Sequence, residues 1–136
     1  MTEEKDMKRV LKPKGLVDAS DRYSQGILVE GGRGLLFIAG QTASDRDGNV
    51  VGVGDIRAQA RKAFENVETV LKEAGLGFEH LVKTTVYLTD RSHRDEYNRV
   101  RMELLPKGDR PTSTLLIISG LARPEYLIEI EAIAAY

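Results

Sequence analysis

The sequence predicts an α+β protein in which two helices cover one face of a sheet. Three observations carry this. Two stretches, near residues 56–74 and 92–105, place apolar residues at helical spacing. Segments rich in β-branched or alternating apolar residues precede, separate and follow them. Glycine-rich or asparagine-containing turns divide the early segments, so the order is β-β-β-α-β-α-β-β.

The elements follow in sequence. Residues 1 to about 20 are polar, include Pro13 and Gly15, and are expected to form an arm. Tyr23–Val29 is predicted as a strand, Gly31-Gly32-Arg33-Gly34 as a turn and Leu35–Gln41 as a second strand, the two forming a hairpin. Asp45–Asn49 makes another turn, and Val50-Val51 a short third strand. Asp55 can cap a helix from Ile56 to Ala74, with Ile56, Ala60, Ala63, Phe64, Val67, Val70, Leu71 and Ala74 on one face. Gly75 supplies a left-handed stop. Val82–Thr89 is the next strand. Ser92 with Asp95 gives a start like a capping box to a helix that turns Tyr97, Val100, Leu104 and Leu105 inward and stops near Pro106. Ser113–Ser119 and Leu127–Ala135 are the last strands. Leu115-Leu116-Ile117-Ile118 is a continuous apolar run, which predicts burial on both faces. Two helices can cover only one face, so the other calls for a partner, most simply a second copy.

Composition narrows the function. A chain of 136 residues makes one domain and can bury a core without staples. There is no cysteine, which excludes disulfides, thiolate catalysis and cysteine-based zinc sites. His80 and His93 lack the spacing of a metal pair, so no metal site is expected. Net charge is −1 with acids and bases interspersed, which argues against nucleic acid as a partner. No apolar run is long enough to span a membrane, and Met1–Lys14 has no apolar signal region, so the expected location is cytoplasmic.

Few residues suggest chemistry by pattern. Glu129 and Glu131 alternate with Ile128 and Ile130 and so share one side of the last strand. That side either faces solvent, which the pattern favours, or lines a cleft where a carboxylate handles a proton or a water. Gly40 ends a strand where backbone can approach a ligand closely, although a turn or bulge is the commoner reason for such a glycine. The Gly31–Gly34 cluster has no helix behind it and fails the phosphate-loop pattern. Tyr23 and Asn98 could reach a site or simply pack.

Six stretches in order resemble one family, the Rid (YjgF-like) proteins. They are Arg22-Tyr23-Ser24-Gln25-Gly26, Ala39-Gly40-Gln41, Gln59–Val67, Val82–Leu88, Tyr97-Asn98 and Glu129-Ile130-Glu131-Ala132-Ile133-Ala134. The resemblance implies a chorismate-mutase-like fold, a barrel-like homotrimer and sites in clefts between subunits. It also implies cofactor-independent hydrolysis of reactive imines and enamines to keto compounds and ammonia. Carried over by position, Tyr23 would line the cleft, the Gly40 backbone would bind the ligand, Asn98 would shape the pocket and Glu129 would activate water.

One departure stands out. Members competent in deamination carry an arginine near the start of the fifth strand that grips the substrate carboxylate. Counting back from Leu121, that position is Ser113 here. Losing such a bidentate clamp costs on the order of 10²-fold in binding. Arg110 and Arg123 are the guanidinium groups considered as replacements, and Arg110 joins Ser113 among the substrate-binding candidates. Moving Arg110 into the slot needs a three-residue shift, which reverses the strand face. The alternative to an enzyme is a trimer that binds a small metabolite without turning it over.

Overall fold

The computed structural model describes residues 7–136. Its elements are β1 (Lys8–Leu11), β2 (Gly26–Val29), β3 (Leu35–Gln41), α1 (Ile56–Glu73), β4 (Leu81–Leu88), α2 (Arg94–Leu104), β5 (Thr112–Ile117) and β6 (Ile128–Ala135). Short 3-10 turns at Phe78–His80 and Arg91–His93 precede β4 and α2. A four-stranded sheet has the order β3-β6-β4-β5, and β1 and β2 form a separate antiparallel pair. The α+β class agrees with expectation, but one of the three strands expected before the first helix is absent and one unexpected strand precedes the other two. Part of the expected arm is β1, whereas residues 1–6 lie outside the described residues. Val50-Val51 is not a strand; only a single bridge joins Ser44 to Val50.

The expected hairpin is also corrected. β2 pairs with β1, and β3 pairs with β6. Gly31 and Gly32 both take positive φ and turn the chain onto the C-terminal residue. There the Arg33 and Gly34 N–H groups donate to the Tyr136 carbonyl, and Tyr136 N–H donates back to Gly34 at 3.1 Å. The C-terminus therefore takes the backbone groups that would have begun a β2–β3 ladder.

Asp55 caps α1 by accepting from the Ala58 N–H at 3.1 Å. The expected capping box at Ser92 does not form. Asp90 accepts from the Ser92 N–H instead, which holds the 3-10 turn, and α2 begins behind His93 without a side-chain cap. Ala60, Ala63, Phe64, Val67 and Leu71 of α1 pack with Tyr97 and Val100 of α2 against Ile38, Val86, Leu88, Ile128, Ile130 and Ala134 of the sheet. The Phe64 ring stacks on Tyr97 at 6.2 Å and meets Phe78 edge-on at 6.3 Å.

β5 is an edge strand, parallel to β4, and its apolar run is not buried on both faces within one chain. Leu116 is 43% exposed and Ile117 41%. Leu116 shares the face away from the helices with Phe37, itself 70% exposed. The alternation that sends Leu115 toward the helices sends Leu116 outward.

One buried polar side chain fixes both ends of the last strand's approach. Gln59 in α1 is fully buried. Its amide donates to the carbonyls of Gly52 and Glu125, and its Oε1 accepts from Leu127 N–H at 2.9 Å. Gln59→Leu is expected to lower stability by about 3 kcal/mol, since three backbone groups lose their partner in a closed interior. Urea unfolding of the two proteins measures this.

Candidate functional site

The open face of the sheet presents Glu129 and Glu131 of β6 beside Tyr87 and Thr85 of β4, with Tyr87 opposite Glu129 and Thr85 opposite Glu131. The Tyr87 hydroxyl donates to Glu131 Oε1, and this carboxylate raises the phenol's pKa above its ordinary value. Both glutamates lie on one side, as the alternation requires.

β3 bulges beside them. Ile38 stands opposite Ala132 and Gln41 opposite Ile130, so β3 spends one residue more than β6 between these two pairs. Gly40 lies in that bulge. A Cβ there would come within 2.7 Å of Glu129 Cδ and would collide with the carboxylate itself. Gly40 does not have positive φ, so its value is the space it leaves. The Glu129 carboxylate lies across backbone that no side chain shields. This is the reason a glycine is needed at that position.

Two polar anchors hold this pairing in place. Asn66 of α1 donates to the carbonyls of Thr42 and Ser44, both at 2.9 Å, fixing the loop that leaves the bulge. The Tyr126 hydroxyl bonds Ser44 Oγ, and Gln59 binds Leu127, so the entry to β6 is fixed as well. The hydroxyl of Tyr126 is held below its ordinary pKa, chiefly by Ser44.

The other expected site residues lie elsewhere in the chain. Tyr23 lines a cleft of about 250 Å³ with Leu11, Pro13, Val17 and Ala19, and the Arg22 guanidinium sits over its ring at 5.9 Å. Arg110 is buried and donates to the Asp21 carbonyl, with Met102 Sδ at 3.2 Å from the same nitrogen. Its own carbonyl accepts from Ser24 Oγ. Arg110 thus ties residues 21–24 to the segment before β5. Arg123 donates to the Gly48 carbonyl at 2.8 Å and lies over Tyr126. Asn98 is half-buried on α2. Only Gly40 and Glu129 meet within one chain.

Ser113 pairs in register with Thr84, on the side of the sheet that α2 covers. There it lies beside the hydroxyl of Tyr97. Burial pushes that hydroxyl up to about 12, against an opposing pull from the Arg101 charge and from Ser113. Neither neighbour is aligned for a hydrogen bond, and the Tyr97 oxygen is buried without a partner among the described residues. Arg101 was not among the expected site residues. Its signal was in the sequence: Tyr97, Val100, Arg101 and Leu104 follow i, i+3, i+4, i+7, which puts a guanidinium on a core-facing stripe.

The geometry defines a small α+β protein whose helix-free sheet face carries a glutamate folded over a glycine bulge. The endoribonuclease L-PSP family model matches residues 14–136, and the chain belongs to that family, whose solved members are also called Rid or YjgF proteins. It is similar to a Rid-family protein of unknown function from Yersinia pestis, YyfB, at 29% identity, covering 96% of this chain and 99% of that one with a TM-score of 0.83. A second Yersinia pestis Rid protein, YyfA, is 30% identical over 95% of this chain and 99% of its own, with a TM-score of 0.72. RidA from an Antarctic Psychrobacter is 26% identical over 94% and 99%, with a TM-score of 0.70. No helix among the described residues is long and apolar enough to cross a membrane.

Proposed function

We propose that this protein hydrolyses small reactive imines or enamines to keto compounds and ammonia, with Glu129 as the group that positions and deprotonates the attacking water. The observation that carries this reading is the Glu129 carboxylate lying across the Gly40 bulge. A carboxylate beside unshielded backbone can hold a water against a ligand bound by that backbone. Hydrolysis of C=N needs a water aimed at carbon and a proton delivered to nitrogen, and one carboxylate can serve both steps in turn. In this reading the chain acts as a homotrimer, in which a second copy covers the open face around Phe37 and Leu116 and closes the cleft. Tyr23 and Asn98 then line that cleft from neighbouring copies.

The test generates imines from a panel of amino acids with an amino-acid oxidase and traps what remains with semicarbazide. Faster loss of trappable imine in the presence of the protein is the expected result. No effect across the panel, from a folded oligomer, would favour a site that binds a metabolite without turnover. Cleavage of RNA, which the family description names, finds no support in the charge. On the open face Glu129 and Glu131 outnumber Lys83, and phosphate chains are held by cations.

Gly40→Ala separates the site from the fold. The atoms in its way belong to the far end of a flexible side chain, so Glu129 can swing aside and the stability change stays under about 1 kcal/mol. Turnover should nevertheless fall by about 10²-fold, because the carboxylate leaves its station. Thermal melting and imine hydrolysis on one preparation measure both.

A further inference from the structure

We infer that the hydroxyls of Thr42, Ser44 and Tyr126 form a relay that carries a proton to the substrate nitrogen, with Tyr126 as its source. The inference rests on the hydrolytic reading above and adds a second proton-handling group to it. Glu129 takes a proton from the attacking water, and in the same step the nitrogen gains one from another donor.

The three hydroxyls are already joined. Tyr126 is 7% exposed, and its hydroxyl is hydrogen-bonded to Ser44 Oγ, which lies 3.3 Å from Thr42 Oγ1. The chain leads to the site. A Cβ on Gly40 would point at the Glu129 carboxylate, and Thr42, two residues on, shares that side of the chain. Register agrees, because Gln41 pairs with Ile130 and so Thr42 and Glu129 are the next residues along the two segments. Asn66 holds Thr42 and Ser44 by their carbonyls, which leaves both hydroxyls for one another.

The buried end is built to give up a proton. The Arg123 guanidinium lies 5.7 Å from the centre of the Tyr126 ring and is anchored on the Gly48 carbonyl at 2.8 Å. Arg123 is the charged group that acts on this phenol, since Gln59 and Asn66, which α1 brings to the same loop, are neutral. Ser44 first, then Thr42, hold the phenol below its ordinary pKa, and Arg123 adds to them against the opposing effect of burial. These neighbours stabilise the phenolate that remains when the proton leaves.

The protons balance. Water oxygen bonds to the imine carbon, and the second C=N pair moves to nitrogen. Glu129 takes the water proton, while nitrogen takes one from Thr42, which is refilled from Ser44 and Tyr126. The result is a carbinolamine, a protonated Glu129 and a Tyr126 phenolate. Glu129 then protonates the nitrogen, and the C–N bond breaks with its electron pair leaving on ammonia. The carbinolamine O–H proton returns along the chain to Tyr126, so both groups end as they began.

The experiment follows imine hydrolysis against pH for the parent, Tyr126→Phe, Thr42→Val and Thr42→Ser, beside ultraviolet titration of the tyrosines and thermal melting. Tyr126→Phe keeps the ring beneath Arg123 and should lower kcat on the order of 10²-fold with KM unchanged. The relay works only while Tyr126 holds its proton. The parent's kcat should therefore fall as pH rises through the lowered phenol pKa, and this limb should be missing in Tyr126→Phe. Thr42→Val should lose a similar factor, and Thr42→Ser, which restores a hydroxyl, should recover most of it. Of the five tyrosines one should ionise before the rest, and Tyr126→Phe should remove that one. A Tyr126→Phe protein that melts earlier, raises KM or keeps the alkaline limb would make Tyr126 a structural buckle of the loop and overturn the relay. Full activity in Tyr126→Phe, or a Tyr126 that titrates with the other tyrosines, would overturn the relay and leave the hydrolysis standing. A parent that hydrolyses no imine overturns the reaction, and the relay falls with it.

Discussion

Glu129→Gln is expected to lower imine hydrolysis by about 10²- to 10⁴-fold, the usual contribution of a positioned general base. The substitution keeps the size and nearly the shape of the side chain, so the carboxamide still fits over Gly40. It removes the ability to take a proton from water. Glu129 is half-buried on an open sheet face and is not part of the core cluster, so the melting point should change little. Single-turnover kinetics with a generated imine, beside thermal melting, measure both. A variant that hydrolyses as fast as the parent would remove Glu129 from the reaction. A variant whose ligand affinity changes while the parent shows no turnover would establish the binding-only alternative. Glu131 is the internal control: its carboxylate is occupied by the Tyr87 hydroxyl, and Glu131→Gln can keep that bond. Its effect on rate should be several-fold at most.

The second large effect concerns stability. Phe64→Ala is expected to destabilise the fold by about 3–5 kcal/mol, enough to leave a marginal domain largely unfolded near its growth temperature. Phe64 is 1% exposed and sits where α1, α2 and the turn before β4 converge, between the rings of Tyr97 and Phe78. Removing it opens a cavity that none of these three elements can close alone. It also loosens Tyr97, whose hydroxyl adjoins Arg101 and Ser113. Phe64→Leu should cost less, about 1–2 kcal/mol, because most of the volume remains. Denaturant midpoints at constant slope distinguish the two.

Some of this was settled by local chemistry and is legible along the chain. The periodicity of Ala60, Ala63, Phe64, Val67 and Leu71 defines α1, and Asp55 and Gly75 mark its ends, because capping and helical spacing are properties of neighbouring residues. Alternation put Glu129 and Glu131 on one side of β6 for the same reason. Family membership followed from six motifs in order. Pairing partners were a different matter. The glycine-rich turn before β3 looked like a hairpin, yet both flanking strands chose partners more remote in sequence, since Tyr136 competes for the same backbone groups. Asp90, two residues before Ser92, captured the N–H that the sequence assigned to a capping box of the second helix. No pattern in the sequence states that Gly40 faces Glu129, 89 positions later, or that Arg101 is buried against the Tyr97 ring. Sequence by itself determined the two helices, the inward face of α1, the shared side of Glu129 and Glu131, and the family. Tertiary structure alone decided which side chains meet, because burial and register are set by contacts between residues that local propensity cannot couple.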